Sequence, residues 1–455
     1  MSPARALLTM SLLSCVLGRA LRHAGAAPRA CARRVHAVRP LACLVPLIPR
    51  PPRADGGRQP REPGVANAEL LPAKGKPLWL VQMGKVDLRE WDVLCDARSP
   101  AEYEDDHAPG ARNFPVLDNE ERVEVGTMHK QATPFEARRR GAALVAKNLH
   151  GILSLPPFDS LHADGKVLVY CARGGERSRS LAYVLSRVGW TVGVVDGGYT
   201  AYRAHVREAL DRLGEFKYHV VTGPTGSAKG KLLDMLEAEG GQVIDLEGLA
   251  NHKGSILGDN PGSPQPSQKL FESLLAEKAA MLDTSRPVFV ESESNLVGKL
   301  HVPQSLFKQM QLGPRTSLSL PMAARVAWIR SGYTHFETTH VSELRAALAR
   351  LVRLRSQATV DGWSELVDAG RWDEFVQSLL EQHYDPAYTK SRETFYGAKA
   401  GESVPDITTV ELANTVDETY RRAALQLLAR VDSAAGRSTR PSGAAAIAEA
   451  SFTIF

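Results

Sequence analysis

Short apolar runs alternate with stretches of helical length along most of this 455-residue chain. In the first half, Trp91–Ala97 and Val167–Tyr170 are predicted strands, while Ser178–Val188 carries its apolar residues at helical spacing. Short apolar strands that alternate with helices are typical of a parallel sheet covered on both faces. The pattern therefore predicts an α/β fold, and at roughly 100–200 residues per domain the length predicts two or three domains.

A second α/β pattern begins after Leu213, with a predicted strand at Lys217–Thr222 and a helix at Lys231–Glu239. Three more apolar runs are predicted strands of the same parallel sheet: Gln242–Leu246, Pro287–Val290 and Arg325–Ile329. We predict one domain over residues 78–212 and another over residues 213–432, the latter with a helical C-terminal part. Residues 55–77 are a predicted linker, and 433–455 a predicted disordered tail.

The first 54 residues differ in composition from the rest, with nine arginines and no Asp or Glu. Arginine-rich, acid-free N-termini are typical of organellar transit peptides. The run Ala6–Leu17 is too short for a membrane helix, which needs ~20 residues. We therefore predict import into a mitochondrion or plastid, a cytoplasmic location if the presequence does not function, and no membrane partner.

The formal net charge is +5, but the chain without its N-terminal segment carries about −4. This excludes a uniformly basic coat for nucleic acid, so contacts with a polyanion must come from local patches. One candidate patch is Arg138, Arg139 and Arg140, and another is Arg350 and Arg353 in the predicted amphipathic helix Val341–Ser356. His252 and Lys253 are further candidates. Each is equally compatible with an ordinary solvated surface.

Five cysteines are present, and three of them lie in the N-terminal segment. The remaining two, Cys95 and Cys171, are too few and too far apart for a disulfide framework or a zinc cluster. Cys95 lies in the middle of a predicted strand and is a predicted core residue. Cys171 directly follows a predicted buried strand and precedes a predicted helix.

The loop that follows Cys171 has the composition of an anion-binding turn. Gly174 and Gly175 allow successive backbone N–H groups to point inward, while Arg173 and Arg177 supply full positive charges. Together with the helix N-terminus, these groups favour the thiolate and predict a pKa for Cys171 below the ~8.5 of a free cysteine. The alternative is a small apolar residue that closes a strand.

This first body resembles a rhodanese domain. The resemblance rests on the segments Asp96–Tyr103 and His107–Asn113, the cysteine loop, and Asp196–Arg203. Rhodaneses carry sulfur or selenium on the loop cysteine. Cysteine phosphatases share the C-x5-R spacing of Cys171 and Arg177, so the loop alone leaves the chemistry open.

The second body begins with a strand, a glycine-rich turn and a helix, the context that a phosphate-binding loop requires. The turn reads Gly223-Pro-Thr-Gly-Ser-Ala-Lys-Gly230. Phosphate contacts are predicted from five of its residues: Gly223, Thr225, Gly226, Ser227 and Lys229. Ala228 replaces the usual glycine before the lysine, and Gly230 replaces the hydroxyl residue that holds Mg²⁺. The pattern therefore predicts phosphate binding in a P-loop NTPase-like domain, but leaves magnesium binding and nucleotide hydrolysis open.

Two carboxylates follow a predicted strand of the second sheet, Glu291 and Glu293. Ligands bind at the carboxyl ends of strands in such sheets. Either residue is a candidate for acid–base chemistry or metal binding, and a solvated loop carboxylate is the alternative.

A rhodanese-like domain followed by a phosphate-loop domain resembles the bacterial tRNA 2-selenouridine synthase family. Four segments carry the more specific resemblance: Asp118–Gln131, Ile244–Ser255, Glu291–Gly298 and His383–Tyr388. The resemblance covers about residues 80–430 of the chain.

The resemblance implies a two-step reaction on the wobble uridine of thiolated tRNAs. The sulfur is first geranylated from geranyl diphosphate, and S-geranyl is then replaced by selenium from selenophosphate. It implies that Cys171 accepts or delivers selenium, that Arg173 and Arg177 bind the selenophosphate, and that the phosphate loop holds the diphosphate. Both donors are then co-substrates, tRNA is the partner, and no tightly bound cofactor is expected. The oligomeric state stays open.

Three alternatives to this reading stay open. One is a geranyltransferase that does not selenate, and another is a cysteine phosphatase fused to a phosphate-binding module. The third is a non-catalytic scaffold that binds RNA.

Overall fold

A computed structural model describes residues 78–255, 257–292, 294–396 and 407–434 of the chain, all within one compact unit, Pro46–Phe455. The predicted presequence, the linker, nearly all of the tail and Glu293 lie outside the described residues. Among the residues described, every helix is too short or too polar to span a lipid bilayer.

The described residues form two parallel sheets, one after the other along the chain. The strands are β1 (Leu78–Val81), β2 (Val93–Asp96), β3 (Arg112–Asn113), β4 (Lys166–Tyr170), β5 (Thr191–Val195), β6 (Tyr218–Thr222), β7 (Gln242–Ile244), β8 (Val288–Glu291), β9 (Leu296–Val297), β10 (Leu300–His301), β11 (Arg315–Ser319) and β12 (Ile407–Glu411). The first sheet has the order β1-β5-β4-β2-β3, and the second has the order β12-β11-β6-β8-β7. Strands β9 and β10 form a separate antiparallel pair.

Fifteen α-helices connect and cover these strands in the described part of the chain. They are α1 (Pro100–Asp105), α2 (Asn119–Gln131), α3 (Pro134–Ile152), α4 (Glu176–Val188), α5 (Gly198–Arg212), α6 (Lys229–Ala238), α7 (Leu246–Leu249), α8 (Gln268–Ala280), α9 (Gln304–Leu312), α10 (Met322–Gly332), α11 (Val341–Arg350), α12 (Gln357–Asp368), α13 (Trp372–Leu379), α14 (Asp385–Tyr396) and α15 (Asp417–Ala434). A π-helical turn, Leu380–Tyr384, joins α13 to α14. The predicted α/β class and its order of domains are confirmed.

Helices cover both faces of the first sheet, and alternate side chains of β4 pack into two different cores. Leu168 and Tyr170 pack with α5, whereas Val167 and Val169 pack with α3 and α4. Cys95 is fully buried in the second of these cores, which confirms its predicted structural role.

The predicted strand Arg325–Ile329 is wrong, because these residues lie inside helix α10. Pro321 precedes the helix and fits its first turn, and the apolar residues pack towards the helical part of the domain. The strand at this place in the sheet is β11, whose sequence RTSLS is mostly polar. It is nevertheless an interior strand, between β12 and β6, and its buried Thr316 shares a hydrogen bond of 2.8 Å with His219.

The two sheets share a continuous apolar core. Residues of β4, β5 and α5 join those of β6, β8 and α8 in one cluster of buried side chains. Polar contacts reinforce this junction: Asp106 accepts a hydrogen bond from Ser273 at 2.8 Å, and Arg203 forms an ion pair with Glu272 at 2.5 Å. The rhodanese-like and phosphate-loop parts are therefore packed together.

Candidate functional site

Cys171 lies at the carboxyl end of β4, where the chain turns into helix α4. Its side chain is 3% exposed, and its Sγ atom lies 3.2 Å from the hydroxyl oxygen of Ser178 in the first turn of that helix. The same hydroxyl oxygen also lies 3.0 Å from the carbonyl oxygen of Gly175, so its single proton can be donated either to that carbonyl or to the sulfur. The thiol is thus held at a helix N-terminus, with only a small part of it open to solvent.

The pKa of the Cys171 thiol is lowered. Burial raises it, but the hydrogen bond of the Ser178 hydroxyl and the backbone N–H groups of Arg173 and Ser178 outweigh burial. The positive charge of Arg177 lowers it further. The loop therefore favours a thiolate, as predicted from its sequence.

The cysteine loop packs against the turn between β5 and α5, which holds it by backbone hydrogen bonds. The backbone N–H of Tyr199 donates to the carbonyl oxygen of Cys171 at 2.8 Å, and that of Thr200 donates to Ala172 at 3.1 Å. Gly198 has a φ of +56°, and a Cβ there would overlap the carbonyl oxygen of Cys171. The segment Asp196–Arg203 therefore needs glycine at this position, because it lies directly against the cysteine loop.

A cleft of about 820 Å³ lies between the cysteine loop and the helix pair α2–α3. Its charged lining is mostly basic, with Arg122, Lys130, Arg138, Arg173 and Arg177 against Glu176, and His129 also lines it. The guanidinium of Arg177 also pairs with Glu102 at 2.6 Å, which fixes its position beside the loop. Apolar side chains, among them Leu117 and Val145, complete the walls. The cleft suits an anion that carries an apolar part.

The predicted basic patch at the start of α3 is only partly directed at this cleft. All three arginines are exposed, but Arg138 alone lines the cleft. Arg140 is paired with Glu124 at 2.7 Å on α2. Arg139 lies between them on the solvent side.

The phosphate loop joins β6 to α6 and is braced by residues distant in sequence. The buried guanidinium of Arg325 donates to the carbonyl oxygen of Thr225 at 2.8 and 2.9 Å and pairs with Asp385. The backbone N–H of Gly223 donates to the hydroxyl of Tyr388 at 2.8 Å. Lys229 lies over the loop, its Nζ atom 3.4 Å from the carbonyl oxygen of Gly223. The loop is therefore held in a fixed shape from α10 and α14.

Two features of the loop follow from its altered sequence. Ala228 takes a left-handed conformation, with φ 52° and ψ 46°, which is unfavourable for a residue with a Cβ. A Cβ on Gly230 would meet no described atom within 4 Å outside its chain neighbours and the adjacent backbone of its own helix, so the space for a side chain is open. The hydroxyl of Ser227 is buried and has no hydrogen-bond partner among the described residues, as expected of a group that faces a ligand or water.

Glu291 ends β8, buried beside Asp245 at the end of β7. Burial raises the pKa of Glu291 well above its usual value, and repulsion by Asp245 and Glu247 adds to this. Burial also raises the pKa of Asp245. One Glu291 oxygen accepts from the backbone N–H of Glu247 at 2.7 Å, while the other has no partner in the described chain. Burial and the neighbouring carboxylates thus shift Glu291 towards its protonated form.

Comparison with known proteins identifies both halves of the chain. The family model of the rhodanese-like domain matches residues 82–205, and that of the tRNA 2-selenouridine synthase AAA domain matches residues 216–359. The tRNA 2-selenouridine synthase of Aeromonas salmonicida is 33% identical over 328 residues, which cover 65% of this chain and 86% of that protein. The chain belongs to the tRNA 2-selenouridine synthase family.

Other members of the family match a shorter part. The tRNA 2-selenouridine synthases of Nitrosomonas europaea and Chromohalobacter salexigens are each 36% identical, over 244 and 242 residues that cover 53% of this chain. The match spans 63% and 64% of those two relatives, just under two thirds of their length.

The segments that resemble the tRNA 2-selenouridine synthase family surround the two loops. Asp118–Gln131 caps and forms α2, one wall of the basic cleft. His383–Tyr388 contains Asp385 and Tyr388, which brace the phosphate loop. Ile244–Ser255 carries Asp245 beside Glu291, the buried His252 and the half-buried Lys253.

The other predicted RNA contacts lie outside both loops. His252 accepts from the backbone N–H of Gly254, and Lys253 donates to the carbonyl oxygen of Gly332 at 2.7 Å, so both are engaged inside the second domain. Arg350 and Arg353 are exposed, and the apolar stripe is buried at Leu344 and Leu348 as predicted. The predicted helix Val341–Ser356 is too long, because α11 ends at Arg350 and Arg353 lies in the 3-10 turn Leu351–Arg353.

Sequence reasoning missed three residues of this site. Ser178 had a readable signal, a hydroxyl directly after the arginine of the C-x5-R spacing. Arg325 was assigned to a strand, so its contact with the phosphate loop was not foreseen. Tyr388 belongs to a quoted segment, but no local pattern links it to Gly223, 165 residues earlier.

Replacing Ser178 by alanine is expected to raise the pKa of Cys171, because a hydrogen bond to the thiolate is lost. The midpoint of the rate of Cys171 alkylation by iodoacetamide should move to higher pH by about one pH unit. Peptide mass spectrometry measures this rate across a pH series. Ser180→Ala is the control, since its hydroxyl donates to Glu176 in the same helix. An unchanged midpoint would show that Ser178 does not stabilise the thiolate.

Proposed function

We propose that this protein is a tRNA 2-selenouridine synthase that geranylates the wobble 2-thiouridine of tRNA and then replaces S-geranyl with selenium. The observation that carries the proposal is Cys171, whose pKa is lowered in an anion-binding loop beside a basic cleft. Family membership and the braced phosphate loop in the same compact unit support it.

The first step is an alkylation at the phosphate loop. The thiocarbonyl sulfur of the uridine attacks C1 of geranyl diphosphate, the S–C1 bond forms, and the C1–O bond breaks. Diphosphate leaves with the bonding electron pair, and the uracil ring loses its N3 proton. Lys229 and the N–H groups at the start of α6 stabilise the charge on the leaving group. No γ-phosphate is cleaved, so the absence of a hydroxyl at Gly230 is compatible with this step.

The described residues contain no group of three or more His, Cys, Asp or Glu side chains arranged to hold a metal ion. Glu291 is the candidate for proton transfer near the diphosphate.

The second step uses Cys171 as a nucleophile towards selenophosphate. The thiolate attacks phosphorus, the S–P bond forms, and the P–Se bond breaks to release selenide. Phosphorus and selenium both keep their oxidation states, so no oxidant is required. Arg173, Arg177 and the loop N–H groups hold the phosphate oxygens. Water then cleaves the S–P bond, releasing phosphate and returning the thiol.

The selenide completes the exchange at the uracil ring. It attacks C2 of the S-geranylated base, the C2–Se bond forms, and the C2–S bond breaks. Geranyl thiolate leaves and takes up a proton. An alkylated sulfur leaves more readily than a thiocarbonyl sulfur, which explains why the alkylation comes first.

The basic cleft is the proposed entrance for the anticodon loop. Lys130 and Arg138 line it without a carboxylate partner in the described structure, and they can pair with phosphates. Phe135 at the start of α3 is 67% exposed, and an exposed aromatic ring can stack on an unpaired base.

Replacing Lys130 and Arg138 together by alanine is expected to weaken tRNA binding about tenfold at low salt. The slope of log affinity against log salt should fall by about two, because roughly one counterion contact is lost for each cation. Fluorescence anisotropy of labelled tRNA at several salt concentrations measures this. Lys308→Ala, an exposed lysine on α9, is the matched control. A larger effect from replacing Arg350 and Arg353 would move the interface to the C-terminal end of α11 and the 3-10 turn that follows it.

The function itself is tested by nucleoside mass spectrometry. Purified protein is incubated with thiolated tRNA and geranyl diphosphate, and selenophosphate is then added. We expect S-geranyl-2-thiouridine first and 2-selenouridine after the second addition. If the geranyl product forms but selenium never enters, the chain is a geranyltransferase only.

The loop geometry also favours a second candidate, a cysteine phosphatase. The specific observation is Ser178, whose hydroxyl lies 3.2 Å from Sγ and can stabilise the thiolate as it leaves phosphorus. This candidate predicts Cys171-dependent turnover of aryl phosphates and no affinity for tRNA.

A further inference from the structure

We propose that the apolar cavity beside the phosphate loop binds the isoprenoid tail of the diphosphate substrate and selects its chain length. This inference rests on the proposed function, because the isoprenoid tail belongs to the same substrate whose diphosphate the phosphate loop is proposed to hold. The cavity lies away from Cys171, among helices α10, α11 and α13 and the π-helical turn.

The cavity is lined almost entirely by apolar and aromatic side chains. Among them are Ile329, Tyr333, Phe336, Phe375, Val376 and Leu379. The charged lining residues are already paired, since Arg330 contacts Glu337 at 2.9 Å and Asp373 at 2.8 Å. Burial raises the pKa of Tyr384, which also lines the cavity, to about 12. Such an interior suits a hydrocarbon and offers few partners to a nucleobase.

The cavity and the phosphate loop are parts of one arrangement. Thr225 belongs to the loop and also lines the cavity. Helix α10 connects the two, because its Arg325 holds the carbonyl oxygen of Thr225 while its Ile329 faces the cavity. A Cβ at Gly226 would lie 2.9 Å from the Cδ1 atom of Ile329, so the loop backbone contacts the cavity wall directly. The proposal therefore directs the ester carbon of a diphosphate held on the loop towards this cavity.

The size of the cavity favours a short chain. Its volume is about 60 Å³, so one side-chain group added to or removed from its wall changes a large fraction of the space left for a hydrocarbon.

The π-helical turn Leu380–Tyr384 adds a second structural argument. Such turns are rare and often lie at functional sites. Leu380 and Tyr384, at its two ends, both line the cavity, and Asp385 directly after it pairs with Arg325. The π-helical turn therefore forms part of the cavity wall, and it positions Asp385, which pairs with the arginine that supports the phosphate loop.

Filling the cavity tests the proposal. Val376→Phe should raise the KM for geranyl diphosphate about tenfold or more and shift the preference towards dimethylallyl diphosphate. Its affinity for inorganic pyrophosphate, which has no tail, should stay unchanged. Gln377→Phe places the same ring at the next, exposed position of α13 and is the matched control. Isothermal titration measures binding, and mass spectrometry of the modified nucleoside measures transfer.

A second variant covers the case in which Val376→Phe does not fold. Val376→Ala enlarges the cavity and should raise the ratio of kcat/KM for farnesyl diphosphate to that for geranyl diphosphate about tenfold. Unchanged chain-length preference in a folded, active variant would overturn the cavity assignment and leave the proposed function intact. Absence of transfer from every prenyl donor by the unmodified protein would overturn the proposed function instead. If the unmodified protein also binds geranyl diphosphate no more tightly than pyrophosphate, the cavity assignment is overturned as well.

Discussion

Replacing Cys171 by serine is expected to abolish selenium incorporation while geranylation of thiolated tRNA continues. Serine keeps the shape of the side chain, but its hydroxyl is far less acidic than a thiol whose pKa is lowered by the loop. Removal of an enzyme's nucleophile costs several orders of magnitude, so we expect a loss of about 10³-fold or more. The measurement is the amount of 2-selenouridine formed from S-geranylated tRNA and selenophosphate.

Cys95→Ala is the control for this variant, because Cys95 is a fully buried core residue on the neighbouring strand β2. It should retain selenation, with at most a modest loss of stability. Release of phosphate from selenophosphate should disappear together with selenation in the serine variant, since both depend on attack at phosphorus. Full selenation by Cys171→Ser would remove this residue from the mechanism.

Local sequence signals were sufficient to predict the two loops. Cys171 follows a short apolar strand and precedes a glycine pair and a helix, and Lys229 stands in a similar strand–turn–helix context. In both places the chemistry-bearing residues are neighbours in sequence, so backbone conformation alone brings them together. The lowered pKa of Cys171 could be predicted because most of its causes lie within seven residues.

The surroundings of the loops could not be predicted in this way, because they depend on packing between distant segments. Strand β11 has a polar sequence, yet Arg315 and Thr316 are buried since the strand lies between β6 and β12. The apolar run in α10 was predicted as a strand because a short run does not distinguish a buried helix from a strand. The contact between Arg325 and Thr225 spans 100 residues, and the pair of Arg177 with Glu102 spans 75.

Replacing Lys229 by alanine is expected to reduce geranyl transfer by about 10²-fold or more while leaving selenation of S-geranylated tRNA intact. The Nζ atom lies over the phosphate loop at the start of α6, where it can reach the oxygens of the leaving diphosphate. A charged donor to a leaving group acts mainly on the transition state, and its removal costs about 10²–10³-fold. Binding of inorganic pyrophosphate should weaken in parallel.

Lys308→Ala controls for the loss of one positive charge in the same domain, because Lys308 is an exposed lysine on α9. Rates of the two steps are measured separately, with geranyl diphosphate and thiolated tRNA for the first and with S-geranylated tRNA and selenophosphate for the second. If Lys229→Ala blocks both steps equally, the two loops do not act independently, and the division of chemistry between the domains is wrong. If it blocks neither, the phosphate loop contributes only to packing. Selective loss of the first step is the outcome that assigns the prenyl donor to the second domain and the selenium donor to the first.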